Sequence, residues 1–251
     1  KTVISQWFED HLADTGPDFA SNRKKLLKYD NFVTSNFITT HPSTLDFLRK
    51  KKNFHYLPIP VDKNIEKLKI YENNNQINDV FFSMSHGVNR GKLKRDKQDE
   101  RHNFITDLIT ECPNIIFDIY GYNNREPVWA EDFYKVIVNS KMALNLTRGK
   151  PLKYLTSNRI ASLIGNGLLT FIDKRTQLSN FFNNNEVIFY SGLEDLANKI
   201  NFYKSNDQKR INIAKKGRKK YFDLFECQKV ANYIISKSFN REISKKLKWM
   251  D

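Results

Sequence analysis

Two arginines, Arg148 and Arg159, flank the loop and helix start of a stretch at residues 141–173, KMALNLTRGKPLKYLTSNRIASLIGNGLLTFID. A guanidinium holds its donors in a planar fork that matches phosphate oxygens, so two of them at one loop could grip a diphosphate from both sides. Asn158 lies at the start of the helix expected there, where free backbone N–H groups favour the same anion. A second set of cations, Arg90, Lys92 and Lys94 with His86 and Arg95, crowds a glycine-containing segment at residues 85–97. Glycine lets the backbone approach a phosphate closely, although a charge run of this kind also reads as a solvated loop. His41, in THPS behind an apolar run, is a candidate general base, with helix capping or packing as its competing role. Glu186 opens an apolar run and could reach a ribose, as acidic residues do in other nucleotide sites.

These groups need elements to position them. Met142, Ala143, Leu144 and Leu146 form the short apolar run of a strand buried on both faces, and residues 168–172 form another. Between them Ile160, Leu163 and Ile164 sit at i, i+3 and i+4, which predicts a helix. Thr156 and Ser157 are suited to cap it, and Gly165 and Gly167 to stop it. A strand, helix and strand at this spacing make a right-handed parallel crossover, whose ligands bind beyond the carboxyl ends of the strands.

The pattern extends both ways. Strands are expected at residues 80–84, 114–120 and 187–190, and helices at 99–111, 129–140, 193–203, 207–225 and from 230 to 238. Alternation of this kind argues for an α/β fold with a doubly wound parallel sheet. Upstream, residues 32–37 read as a strand and residues 42–52 as a helix with a basic end. HYLPIPVD at 55–62 is extended, and its two prolines exclude a central strand. The first twenty residues offer an apolar start (Val3, Ile4, Trp7, Phe8) and a turn signal at Gly16, Pro17 and Asp18.

The 251 residues are 39% hydrophobic, enough for a core, and 42 Lys and Arg against 28 Asp and Glu give a formal charge of +14. That excess implies attraction to phosphates, anionic lipid or nucleic acid without choosing among them. Cys112 and Cys227 lack metal-ligand spacing, so no metal is expected and a reducing compartment is. No run has the length of a membrane span, no signal peptide is evident, and the leading Lys suggests a fragment or processed chain. Walker A, GxGxxG, HExxH and nucleophile-elbow sequences are missing, which sets aside the common kinases, dehydrogenases, metalloproteases and hydrolases.

With these residues placed, the chain resembles the donor-binding half of group 1 glycosyltransferases of the GT-B fold, nearest the CgeB-like branch. The resemblance spans about residues 79–225. It rests on YKVIVNSKMALNLTRG, SNRIASLIGNGLLTFID, EVIFYSGLEDLANKINFY and the basic helix ending KKGRKKYFDLF. It implies a Rossmann-like donor-binding domain at 79–225, part of a preceding α/β acceptor-side domain at 1–60 and a connector at 61–78. Terminal helices at 226–251 would cross back to the first domain. Relatives carry a glutamate in the helix after the arginine loop that holds the donor ribose or sugar, and Ser162 stands at that place here.

The implied activity is transfer of a hexose-like sugar from a nucleotide-sugar to a glycan or lipid-linked acceptor in cell-envelope glycan biosynthesis. The nucleotide-sugar is then a substrate, and no cofactor is expected. The implied place is the cytoplasm, where the charge suits peripheral contact with an anionic membrane on its inner face. A noncatalytic nucleotide-binding module and a basic nucleic-acid-binding protein are the alternatives. Against the latter, no recognition motif accompanies the cations, so no specific nucleic acid is expected.

Overall fold

The computed structural model describes residues 2–14, 16, 18–85, 88–89, 92–93, 100–243 and 248–250, with the backbone alone at 88–89 and 92–93. In the first lobe, β1 (Ser5–Phe8), α1 (Phe19–Lys28), β2 (Ser35–Ile38) and β3 (Phe54–Tyr56) build a parallel sheet ordered β1-β2-β3. Leu12, Leu26, Ile38, Leu45, Leu48 and Phe54 form its core. β3 is an edge strand and the prolines follow it, as their missing donors require.

The sequence expectations miss here in three ways. β1 and α1 were not anticipated at all: β1 is half exposed along its length, and α1 buries only Asn22 and Leu26, so neither shows a strong apolar period. The strand expected at 32–37 begins three residues later, because Asp30–Phe32 turns as a 3-10 helix around the buried Asp30 carboxylate. Asn36 and Asn53 each donate to that carboxylate at 3.0 Å. The helix expected at 42–52 is instead two 3-10 turns, Pro42–Thr44 and Asp46–Leu48, broken by extended Leu45 (φ −111°). Leu45 and Leu48 are the only buried apolar residues there, too few to build the stripe that holds an α-helix against a core.

The second lobe begins with β4 (Asn78–Ser83), followed by a short antiparallel hairpin of β5 (Val88–Asn89) and β6 (Lys92–Leu93). Then come α2 (Glu100–Glu111), β7 (Phe117–Tyr120), α3 (Ala130–Ile137), β8 (Ser140–Asn145), α4 (Asn158–Gly165), β9 (Leu169–Asp173) and β10 (Ile188–Tyr190). α5 (Leu193–Lys204), α6 (Asp207–Phe225) and α7 (Cys227–Ser238) complete it. The five-stranded sheet is parallel throughout and ordered β10-β9-β8-β4-β7, the doubly wound arrangement expected. Its strands are buried on both faces. Val80 and Phe82 of β4 meet Ile105 and Leu108 of α2 on one side, and Phe81 meets Ile137 of α3 and Leu163 of α4 on the other. Numbered within this lobe the order is 5-4-3-1-2, so the chain reverses direction between β4 and β8, and a crevice opens beyond their carboxyl ends.

The last helix ties the lobes together. Val61 N–H donates to Phe225 and Cys227 N–H to Val61, both at 2.9 Å, after which α7 packs on the first sheet, with Tyr233 edge-on to Phe37 (centroids 6.0 Å). Ser5 and Ser238 share a hydroxyl hydrogen bond of 2.6 Å.

Two glycines are required by geometry. Gly167, at φ +85°, takes the left-handed conformation that ends α4; Gly165 is instead its last helical residue. Gly217 lies inside α6, where a Cβ would come within 2.0 Å of the Glu186 carbonyl oxygen. Helix propensity alone makes Gly217→Ala stabilising by about 1 kcal/mol. The close approach reverses the sign, and we expect a loss of about 2–3 kcal/mol in urea denaturation; a gain would mean that α6 stands farther from that loop.

His55 yields a second prediction. Burial, with the Lys237 charge second, pushes its imidazole down to about 4, so the folded state holds it neutral while the unfolded chain titrates near 6.5. Its contribution is complete above pH 6.5 and is lost as pH falls toward 4. Between pH 7 and pH 4.5 the parent should lose about 1–2 kcal/mol more stability than His55→Gln, after allowance for its partial exposure. Parallel losses in the two proteins would remove His55 as the cause.

Candidate functional site

The crevice between β4 and β8 faces the carboxyl end of β1 across the two lobes, and two adjoining cavities occupy it. The smaller, about 310 Å³, is walled by Arg101, Arg148 and Arg159 from the second lobe and by Asp10, His11 and Asp18 from the first. The larger, about 560 Å³, extends beneath the start of α3, where Trp129, Phe133 and Tyr134 face Asn158 and Ser162 of α4. Glu9, Asp10, Ser85, Ser157 and Arg159 line both.

Arg159 is fixed by α4. Its Nη1 donates to the Leu146 carbonyl at 2.9 Å, and its guanidinium lies 4.9 Å from the centre of the Phe82 ring. It therefore pairs with a backbone carbonyl rather than with a carboxylate. Desolvation, with the positive charge of Arg101 second, pushes it down to about 9, still charged at neutral pH. An arriving anion would relieve both effects. Arg148 Nη1 reaches Asp18 Oδ2 at 3.2 Å, an ion pair across the lobes. Asn158 Nδ2 donates to Glu9 Oε2 at 3.0 Å, so a first-lobe carboxylate stands at the amino end of α4. Neither anticipated cap does its work: Ser157 makes no side-chain bond to the helix, and the Thr156 hydroxyl oxygen is buried without a hydrogen-bond partner among the described residues.

Ser162 Oγ lies 3.5 Å from the Tyr134 hydroxyl, which donates at 3.4 Å to Oε1 of Glu66. Glu66 is buried, and burial holds its carboxyl above the usual range. Arg148, Asn158, Arg159 and Ser162 are thus brought together at one crevice. Glu186 does not join them. It precedes β10, at the amino edge of the sheet, where it accepts the Asn183 N–H at 2.9 Å. His41 does not join them either: its ring accepts the Ser43 N–H at 3.3 Å, capping the 3-10 turn, and packs edge-on to Tyr154. Arg90 and Lys94 lie outside the described residues, as do His86 and Arg95, and the side chain of Lys92 is not described.

The residues missed were Glu9, Asp10 and His11, at the carboxyl end of β1, and Arg101 at the start of α2. Reading residues 3–8 as a strand would have pointed to the EDH that follows. Burial pushes the His11 imidazole down while the Lys150 carbonyl pulls it up. Its Nδ1 accepts the Ala13 N–H at 3.2 Å, so the neutral ring carries its proton on Nε2.

Because Asp18 neutralises Arg148, Asp18→Asn should strengthen binding of pyrophosphate about two- to fivefold at low salt, the worth of one partly exposed ion pair. Calorimetry against the distant control Asp223→Asn tests this; unchanged or weaker binding would mean that Arg148 does not contact the anion.

The fold and the crevice have counterparts among solved structures. Anabaena HepE, crystallised with UDP, superposes with a TM-score of 0.66 at 13% identity, covering 95% of this chain and 72% of its own. TarM of S. aureus gives 0.62 at 13% identity, with 93% and 50% covered. Sucrose-phosphate synthase of Thermosynechococcus elongatus gives 0.59 at 10% identity, with 94% and 67% covered. No curated protein matches the chain by sequence. At these identities the likeness is one of fold, that of the GT-B glycosyltransferases. Residues 97–236, more than half of the chain, match the family described as glycosyl transferase-like, and the chain belongs to that family.

Proposed function

We propose that this protein is a nucleotide-sugar-dependent glycosyltransferase, of the CgeB-like branch, that moves a hexose-like sugar onto a glycan or lipid-linked acceptor. The observation that carries the proposal is the convergence of Arg148, Arg159 and the amino end of α4 on one crevice at the reversal point of a doubly wound sheet. Structural counterparts crystallised with UDP, UDP-glucose, or UDP and Mn²⁺ support a nucleoside diphosphate as the ligand. In this reading residues 79–225 form the donor side and residues 1–60 belong to the acceptor side.

The two cavities divide the donor between them. The larger takes the nucleoside: Trp129, 52% exposed, offers a ring face to the base. Tyr134, held by Glu66 beside Ser162, offers its hydroxyl to the ribose, where relatives use a glutamate on the helix. The smaller cavity takes the diphosphate and sugar. Transfer breaks the bond from the anomeric carbon to the diphosphate oxygen and forms a bond from that carbon to the acceptor oxygen. The leaving diphosphate gains negative charge, which Arg148, Arg159 and the α4 N–H groups stabilise. Asp10 is placed to take the acceptor proton. It lines both cavities and, among the described residues, makes only a long, exposed contact to Lys25 at 3.9 Å, whereas Glu9 is engaged by Asn158 and the neutral His11 ring has its Nδ1 occupied.

Arg148→Ala and Arg159→Ala should each weaken UDP binding about ten- to a hundredfold, the worth of one charge-assisted contact at about 1.5–3 kcal/mol. Asp10→Asn should keep UDP binding and abolish transfer. Calorimetry on folded protein, with exposed Lys219→Ala as control, tests the donor assignment. Affinities within twofold of the parent for both arginine variants would place the donor elsewhere.

A further inference from the structure

A third cavity lies on the first lobe, at the carboxyl edge of its sheet. About 330 Å³ in volume, it opens between Leu12 and Ala13, which follow β1, and the turns at Thr44–Phe47, which follow β2. That volume lies within the range of ligand pockets, about 300–1,000 Å³. The rule that places ligands beyond the carboxyl ends of parallel strands applies to this sheet as it does to the larger one.

Its lining is chemically mixed. Leu12 and Leu45 are buried in its floor. Phe19 and Phe47 meet edge to face with centroids 5.9 Å apart, and the Arg23 guanidinium stands 5.2 Å from the centre of the Phe47 ring. Lys150, from the loop after β8, completes the rim from the opposite lobe. Among the described residues neither Arg23 nor Lys150 takes part in an ion pair, whereas Asp46 on the rim is held by Arg49 at 2.8 Å. An apolar floor with aromatic rings beside it suits the C–H surface of a sugar ring, and two cations without ion-pair partners among the described residues suit an anionic substituent on it.

The cavity also adjoins the donor site. His11, Asp18 and Asn22 line the smaller crevice cavity, and their chain neighbours Leu12, Phe19 and Arg23 line this one, so the two cavities adjoin along the same two segments.

We infer that the third cavity is the acceptor subsite and that the acceptor is a saccharide bearing a phosphate or carboxylate. The word acceptor rests on the glycosyltransferase reading; the binding of an anionic saccharide at this place does not.

The test titrates glucose 6-phosphate and glucose, with and without UDP, into the parent, Arg23→Ala, Lys150→Ala and Arg148→Ala. Both cations lie on exposed side chains, so the variants should fold. Glucose 6-phosphate should bind at least tenfold more tightly than glucose, lose about tenfold in Arg23→Ala and in Lys150→Ala, and change less than twofold in Arg148→Ala or on saturation with UDP. Equal binding of the two sugars, or binding that depends on Arg148 and not on Arg23, overturns the inference. UDP titration of the same proteins judges the donor site separately: absent UDP binding with an intact Arg23 dependence strikes the donor reading and leaves this subsite standing.

Discussion

The hydrogen bond from Arg159 to the Leu146 carbonyl joins the first turn of α4 to the chain as it leaves β8. Everything in the crevice is placed relative to that join. A largely desolvated guanidinium is costly unless its donors are used, and the Leu146 carbonyl and the Phe82 face supply only part of what water would. Arg159 lines both cavities and makes one hydrogen bond among the described residues, so the fold keeps in the crevice a cation held by helix and strand together. Unmet polar demand of this kind is tolerated where a ligand will meet it.

The join works because the sheet reverses direction where it does. β4 and β8 are neighbours, yet the segments leaving them run to opposite faces, α2 covering one and α4 the other. The backbone therefore parts at their carboxyl ends instead of closing over them. α3 and α4 pack side by side, which brings Tyr134 to Ser162, and Glu66 of the connector lies buried behind both. Gly165 makes room for that carboxylate stem, since a Cβ there would stand 2.7 Å from its Cγ. Through Glu66 the segment at 61–78 thus supports Tyr134, which lines the larger cavity, as well as linking the lobes.

Much of the second lobe was legible in the sequence. α6 spans Asp207–Phe225 as expected, because an acidic residue opens it and an apolar face (Ile213, Ala214, Tyr221, Leu224, Phe225) persists for its length. The strands of the larger sheet, buried on both faces, announce themselves as continuous apolar runs. The candidate site was legible only where it sits on that sheet. Arg148 and Arg159 were found from the strand–loop–helix pattern, but their partners were not. Asp18 lies 130 residues from Arg148 and Glu9 lies 149 from Asn158, separations at which local pattern is silent. The first lobe defeats pattern for a different reason. Its strands are three or four residues long, and its turns follow a period of three, so neither alternation nor a helical stripe accumulates enough repeats to be seen.

Those cross-lobe contacts couple binding to lobe geometry. Asp18 reaches Arg148 and Glu9 reaches Asn158, so first-lobe carboxylates stand at the positions where ligand oxygens would interact with the second lobe. A diphosphate entering the crevice must compete with both for the same donors, and each carboxylate released removes an attraction between the lobes. The diphosphate restores that attraction only if it bridges, with its charge on Arg148 and Arg159 and its sugar against Asp10 and His11. Closure is therefore favoured by a ligand that carries both parts. A bare diphosphate satisfies the arginines but gives the first lobe nothing in exchange for Asp18 and Glu9. Under the proposed function, this charge arrangement would favour a whole donor over its spent leaving group.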